Sequence, residues 1–180
     1  MKHLLEKIAR TSILEKFENK NLINRDKLLK DYPFLNQKKA TFVTLKIDNQ
    51  LRGCIGSILP NRILLDDIIE NSKSAAFRDV RFSPLTLEEF PKIDIEISIL
   101  TIPKKIEYES IEELKKIIRP QIDGVILSLA NYQATFLPVV WEELPFFELF
   151  FAELCIKAGM NGDCLKFHPL IYTYQVEKIK

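Results

Sequence analysis

The clearest hydrophobic pattern in the chain is a strict alternation between residues 93 and 99. Isoleucines at the odd positions are separated by Asp94, Glu96 and Ser98. This two-residue period predicts a strand with one apolar face and one polar face, as in antiparallel sheets. A second strand-like run at 41–47, followed by a polar turn at 48–50 and a run to residue 58, predicts a β-hairpin.

Apolar residues at helical spacing predict four helices. They are expected at 2–19, from Asn24 to just before Pro33, from Pro60 to about Asp79, and from about Pro145 to Lys157. Capping-box spacing at Thr86–Glu89 and Ser110–Glu113 predicts two further helical starts. A second hairpin at 125–137 and a last strand at 171–176 complete the pattern. Strands separated by unequal helical stretches indicate an α+β fold, with a mainly antiparallel sheet flanked by helices.

The composition excludes several classes of protein. The chain has 180 residues, 47% of them apolar and 28% charged, with a formal net charge of +1. A chain this close to neutral lacks the excess of positive charge that is typical of nucleic-acid-binding proteins. The apolar runs are too short to span a bilayer. Glu6 falls inside what would be the apolar segment of a signal peptide, so we expect a cytoplasmic protein.

The cysteines and histidines bear on metal and redox chemistry. Cys54, Cys155 and Cys164 show no paired spacing, which predicts free thiols in a reducing compartment. The histidines, His3 and His168, lie near opposite ends of the chain. No spacing of the C-x-x-C or H-x-x-x-H kind occurs, so the sequence predicts neither a metal site nor a bound cofactor.

The segment Leu51–Gly56, Leu-Arg-Gly-Cys-Ile-Gly, lies on the second strand of the first hairpin. Alternation puts Arg52, Cys54 and Gly56 on one face, where the guanidinium of Arg52 is expected to reach the Cys54 sulfur. A neighbouring cation lowers the pKa of a thiol and favours the nucleophilic thiolate. Gly56 has no side chain, so it would leave open space beside the sulfur. The alternative is structural, since free cysteines are often buried and strand glycines often mark bends.

Three charged residues outside this segment are further candidates. Asp79 and Arg81 follow the third predicted helix, and they form either an ion pair at the helix exit or the charged rim of a cleft. Glu96 lies on the polar face of its strand. It would serve as a base or ion partner if that face lines the same cleft, and otherwise it belongs to a solvated surface.

The segment Leu51–Gly56 resembles the signature hexapeptide of the AMMECR-one domain family, also called system protein A of the AmmeMemoRadiSam grouping. Further segments are similar to family segments in the same order: 42–45, 75–85, 95–101, 123–127, 134–138 and 154–159. The resemblance runs from about residue 40 to the C-terminus. It implies a single domain over residues 1–180 with two lobes and a cleft at the hexapeptide.

Three functions are consistent with these residues. In the favoured one, the protein is an accessory component associated with a Memo-like protein and a radical S-adenosylmethionine (SAM) enzyme, as the family name implies. Arg52, Gly53, Gly56, Asp79 and Arg81 would then bind a small anion or present a substrate. Alternatively, the chain is a cysteine-dependent enzyme with Cys54 as nucleophile and Glu96 assisting. A role in the nucleic-acid or translation machinery is the weakest alternative.

Overall fold

The structure is a computed structural model that describes residues 1–177. The chain forms two compact units. Unit 1 contains Met1–Leu100 together with Glu177, and unit 2 contains Thr101–Val176. Each unit has one antiparallel sheet and its own helices, which confirms the α+β class and divides the predicted strands between two sheets.

Unit 1 places its helices on one face of a sheet. The helices are α1 (Lys2–Glu18), α2 (Arg25–Asp31) and α3 (Leu64–Phe77), and the strands are β1 (Ala40–Ile47), β2 (Gln50–Gly56) and β3 (Asp94–Leu100). With the short strand β8 (Val176–Glu177), whose second residue returns to this unit, the strand order is β2-β1-β3-β8. The predicted alternation is confirmed, since Val43, Leu45 and Ile95 are buried in the core with Leu65 and Ile68 of α3.

Unit 2 has the same two-layer construction. Its strands are β4 (Lys104–Ile106), β5 (Gly124–Leu129), β6 (Tyr132–Phe136) and β7 (Leu170–Tyr174), in the order β4-β7-β5-β6. Its helices are α4 (Ile111–Ile117) and α5 (Phe147–Lys157). The rings of Trp141 and Phe150 stack with centroids 3.6 Å apart in the core. Phe147 and Phe151 are also buried, so most of the aromatic cluster of α5 is core.

Two details of the predicted helices are settled by local contacts. Asn24 caps α2 as expected, because its side chain accepts a hydrogen bond from the backbone N–H of Lys27 at 3.0 Å. Helix α3 begins at Leu64 and not at Pro60. Bends occupy the residues before Ile63, and Ile63 itself forms a β-bridge with Lys38, so the helix begins only after this bridge.

The prediction that all cysteines are free is wrong. Cys155 of α5 and Cys164 form a disulfide, with Cα atoms 5.8 Å apart, and Cys54 is a free thiol. The turn after α5 folds back and brings together two cysteines nine positions apart, which their spacing alone does not reveal. Within residues 1–177 no helix is both long and apolar enough to cross a membrane.

Candidate functional site

Strand β2 lies at the edge of its sheet and carries the free thiol. Its residue Cys54 is the register partner of Thr44 on β1. The backbone N–H of Cys54 points away from β1 and donates to Asp79, so this is a non-hydrogen-bonded pair, in which facing side chains lie closest. Thr44 Oγ1 and Cys54 Sγ are accordingly 3.3 Å apart. The half-buried thiol therefore has a fixed hydroxyl neighbour.

Two side chains from the segment after α3 occupy the open backbone edge at Cys54. Asp79 Oδ2 accepts from the Cys54 N–H at 2.9 Å, and Arg81 Nη2 donates to the Cys54 carbonyl at 3.2 Å. Arg81 also donates to both oxygens of Asp79, from Nε at 3.0 Å and from Nη2 at 2.7 Å. Asp79 and Arg81 thus form the predicted ion pair, and the pair also satisfies peptide groups that a neighbouring strand would otherwise bind.

The electrostatics of this pair follow from its hydrogen bonds. The side-chain bond from Arg81 lowers the pKa of Asp79 to about 2, and backbone N–H donors reinforce the shift against the effect of burial. The pKa of Arg81 is raised, chiefly by its hydrogen bond to Asp79, with a smaller contribution from the charge of that carboxylate. Asp79 is buried, whereas the Arg81 side chain is 52% exposed. The cation therefore faces solvent while its counter-ion does not.

Arg52 is held by a carboxylate rather than by the thiol. Its Nε and Nη2 donate to Glu89 at 2.8 and 2.9 Å, and Nη2 also donates to the Ser83 carbonyl at 3.0 Å. The bond to Glu89 raises the pKa of Arg52. A bidentate carboxylate is a stronger partner for a guanidinium than a sulfur, which corrects the expected Arg52–Cys54 contact. Among residues 1–177, the guanidinium bound to the Cys54 backbone is that of Arg81.

Glu89 is the site residue that the sequence reasoning missed. Its Oε2 accepts from the Thr86 N–H at 2.9 Å, while Thr86 Oγ1 accepts from the Glu89 N–H at 3.3 Å. These reciprocal bonds confirm the capping box predicted at residues 86–89. The hydrogen bond from Arg52 is the main cause that lowers the pKa of Glu89, to about 2. The capping box fixes the carboxylate, and the carboxylate fixes Arg52.

Phe82 lies beside both arginines. The guanidinium carbons of Arg52 and Arg81 are 5.8 and 5.5 Å from its ring centroid, within the range of cation–π contact. Phe82 is only partly buried. This ring therefore positions two cations that are held by separate carboxylates.

The two glycines of the motif have packing roles. A Cβ on Gly53 would lie 2.2 Å from the backbone oxygen of Ala75, so Gly53 permits close approach of α3 to β2. A Cβ on Gly56 would lie 2.3 Å from the ring of Phe42. The open space expected at Gly56 is therefore occupied, because Phe42 is the register partner of Gly56 on β1 and its ring covers the glycine.

Glu96 shares the face of the sheet that carries Cys54. Thr44 is the register partner of both residues, so Glu96 and Cys54 are two strands apart, about 10 Å between backbones. Lys46 donates to the exposed Glu96 carboxylate at 2.8 Å. The structure thus places Glu96 on the expected face and binds its carboxylate to a lysine.

A buried polar network fixes the far end of the motif strand. Asp67 of α3 accepts from the N–H and hydroxyl of Thr41, both at 2.8 Å, and from Ser57 Oγ at 2.8 Å. Arg62 and Asn71 also donate to it, at 2.8 and 2.9 Å. The sequence shows Asp67 only as one more acid on a helix, so no local pattern reveals this role.

The described residues contain no metal-binding site of the usual kind. No group of three or more His, Cys, Asp or Glu side chains within residues 1–177 is placed to hold a metal ion. His168 stacks on Tyr108 with ring centroids 4.3 Å apart, and His3 pairs with Glu6 on α1. The groups placed at Cys54 are a thiol, a hydroxyl and an exposed guanidinium.

Comparison with known proteins gives a consistent match across the chain. The sequence model of the AMMECR1 family matches residues 6–179. A protein of Methanothermobacter thermautotrophicus is 38% identical over 178 residues, which cover 96% of this chain and 90% of that protein. Protein SSO0193 of Saccharolobus solfataricus is 37% identical over 187 residues, covering 94% of this chain and 79% of the relative.

A solved structure has the same fold. The crystal structure of protein PH0010 from Pyrococcus horikoshii, described as uncharacterized, superposes with a TM-score of 0.87. The two chains are 34% identical, and the match covers 97% of this chain and 88% of the other. Fold and sequence are thus each matched over nearly the whole of this chain.

Proposed function

This chain belongs to the AMMECR1 family, and from that premise we propose that it is a cytoplasmic accessory component that binds a small anionic ligand. It works with a Memo-like protein and a radical SAM enzyme. The family resemblance supports the partners, and the residues around Cys54 support the ligand site.

The observation that supports ligand binding is the exposed guanidinium of Arg81 at the edge of the motif strand. Its counter-ion Asp79 is buried and anchored to the Cys54 backbone, so the cation is held in place while part of it faces solvent. A cation that is oriented before binding loses less conformational entropy when it captures an anion. Phe82 supports the same guanidinium from its ring face.

The partner proposal is tested by direct binding of purified components. We expect the wild-type chain to bind a Memo-like or a radical SAM protein at micromolar concentration in analytical ultracentrifugation. We expect Arg81→Gln to weaken any binding that depends on a ligand presented at this site. Failure of the wild-type chain to bind either protein, alone or together, contradicts the accessory role.

Arg119 provides a matched control for Arg81. It makes the same two-point contact with a buried aspartate, Asp123, through Nε at 3.0 Å and Nη2 at 2.7 Å. Its side chain is 56% exposed, and the pair belongs to unit 2, whereas the motif strand belongs to unit 1. Arg119→Gln therefore removes an equivalent ion pair, so an effect specific to Arg81 identifies the site and not the loss of a salt bridge.

A second candidate function is a thiol-dependent enzyme. The contact between Thr44 Oγ1 and Cys54 Sγ favours it, because a hydroxyl donor can orient a thiol and stabilise its thiolate. Glu96, on the same face, would act as a base only after release from Lys46. Cys54→Ala abolishes turnover if this function holds, and turnover that survives Cys54→Ala excludes it.

A further inference from the structure

The charges around Cys54 balance, and this balance limits the ligand. Arg81 is paired with Asp79, and Arg52 is paired with Glu89. Both carboxylates are held in the ionised form near neutral pH, since their pKa values are lowered to about 2. These four groups therefore carry no net charge. A polyphosphate would bring several negative charges to a neutral cluster and would need cations that the cluster does not have.

The hydrogen bonds of Arg81 leave one donor group open. Nε is used by Asp79, and Nη2 is shared between Asp79 and the Cys54 carbonyl. Within the described part of the chain, Nη1 has no hydrogen-bond partner. A guanidinium has five N–H donors, so two remain on Nη1 of a half-exposed side chain. Because these two N–H bonds diverge, one of them can donate to one oxygen of a small anion.

The open donor lies near the sulfur. Arg81 binds the carbonyl of the same residue that carries the thiol. A ligand anchored on Nη1 would therefore have its adjoining carbon atoms close to Cys54 Sγ.

From this arrangement we propose that the ligand is a small organic carboxylate with a single negative charge, anchored by Nη1 of Arg81 beside the Cys54 thiol, and not a phosphorylated molecule. The proposal rests on the anion-binding function proposed above and specifies its ligand class. One charge-assisted hydrogen bond from Nη1 supplies the affinity, and the neutral surroundings supply the discrimination against multiply charged anions.

Alkylation of Cys54 by two matched reagents tests the proposal. Iodoacetate carries a carboxylate and iodoacetamide does not, while both form the same kind of bond. The thiolate sulfur attacks the methylene carbon, a sulfur–carbon bond forms, and iodide leaves with the electron pair of the broken carbon–iodine bond. The thiol proton passes to the buffer. Cys54 is the free cysteine, so mass spectrometry assigns the product to one residue.

We expect iodoacetate to react with saturation kinetics and about tenfold faster than iodoacetamide, because a charge-assisted bond to Arg81 is made before attack. Arg81→Gln should lower the ratio of the iodoacetate rate to the iodoacetamide rate by a similar factor, whereas Arg119→Gln should leave this ratio unchanged. The preference in the wild-type chain is informative by itself, so the test does not depend on the folding of a variant. If Cys54 reacts with neither reagent, the thiol is closed to the ligand and the proposal is overturned.

Protection experiments separate the ligand class from the binding function. Propionate should slow alkylation by iodoacetamide, and pyrophosphate at equal concentration should not. If pyrophosphate or inorganic phosphate protects better than propionate, the site binds anions but the carboxylate proposal is wrong. If no anion protects and iodoacetate shows no saturation, the anion-binding function itself is wrong.

Discussion

The carboxylate of Asp79 accepts a hydrogen bond from the backbone N–H of Cys54 at 2.9 Å, across 25 positions of the sequence. This bond joins the segment after α3 to the edge of the motif strand. With the bond from Arg81 to the Cys54 carbonyl, it takes the place of a neighbouring strand at that residue. The geometry of the thiol therefore depends on side chains that are distant in sequence.

The first prediction concerns the pH dependence that Asp79 confers. A carboxylate whose pKa falls from 3.8 to about 2 on folding stabilises the protein above pH 4, and this contribution is lost as the pH falls toward 2. After a discount for the half-exposed Arg81, we expect about 2 kcal/mol at neutral pH. Asp79→Asn should lower the free energy of unfolding by about this amount at pH 7 and have little effect at pH 2.

Urea denaturation followed by circular dichroism between pH 2 and pH 7 measures this difference. Asp163→Asn is the control, since Asp163 forms an exposed pair with Lys166 and should contribute little. Wild-type and Asp79→Asn curves that run parallel over the whole range would show that the hydrogen bonds of Asp79 do not stabilise its ionised form.

Gly53 tests the close approach of α3 to the motif strand. The Cβ of Gly53→Ala would lie 2.2 Å from the Ala75 backbone oxygen, and a helix backbone cannot move aside cheaply. We expect a loss of about 3 kcal/mol in the free energy of unfolding, as for an overpacked core. In the control Gly162→Ala the new Cβ meets Ala152 at an ordinary 3.5 Å, so its effect should stay within about 0.5 kcal/mol. Equal effects of both substitutions would contradict this interpretation of the motif.

The parts of the site that the sequence predicts are those with a local cause. The capping-box spacing gives the bonds between Thr86 and Glu89, and the apolar alternation of β3 gives its buried face. Both patterns act within a few residues. The alternation expected to put Arg52 and Cys54 on one face is interrupted, because the register with β1 shifts between Leu51 and Gly53.

The rest depends on tertiary placement. Arg52 and Glu89 are 37 positions apart, and their pairing requires the fold to bring β2 and the segment after α3 together. The ring of Phe42 covers Gly56 because of strand register, which composition does not determine. A sequence pattern shows that such side chains are available, but the fold selects their partners.

Glu89 gives a third prediction, on the position of Arg52. Glu89→Gln removes the charge from a bidentate pair whose carboxylate is partly exposed, so we expect a loss of about 1 kcal/mol. The segment 83–89 should also exchange its amide hydrogens faster, since Arg52 ties the Ser83 carbonyl to the same cluster. Glu88→Gln, at the exposed neighbouring position, is the control. If Glu89→Gln leaves hydrogen exchange over 83–89 at the wild-type rate, Glu89 does not position Arg52.

The disulfide gives the last prediction. With Cys155 bonded to Cys164, the unfolded chain should show one reactive thiol without reductant and three after reduction. Replacing both disulfide cysteines with alanine should cost about 2–3 kcal/mol, because a loop of about ten residues is no longer closed in the unfolded state. The count must be made on cells lysed in iodoacetamide under denaturing conditions, so that air oxidation and exchange are blocked and each alkylated cysteine is counted as one reactive thiol. Three reactive thiols in that sample would show that the bond is not formed in the cell, whereas one would place the pair outside the free-thiol chemistry of Cys54.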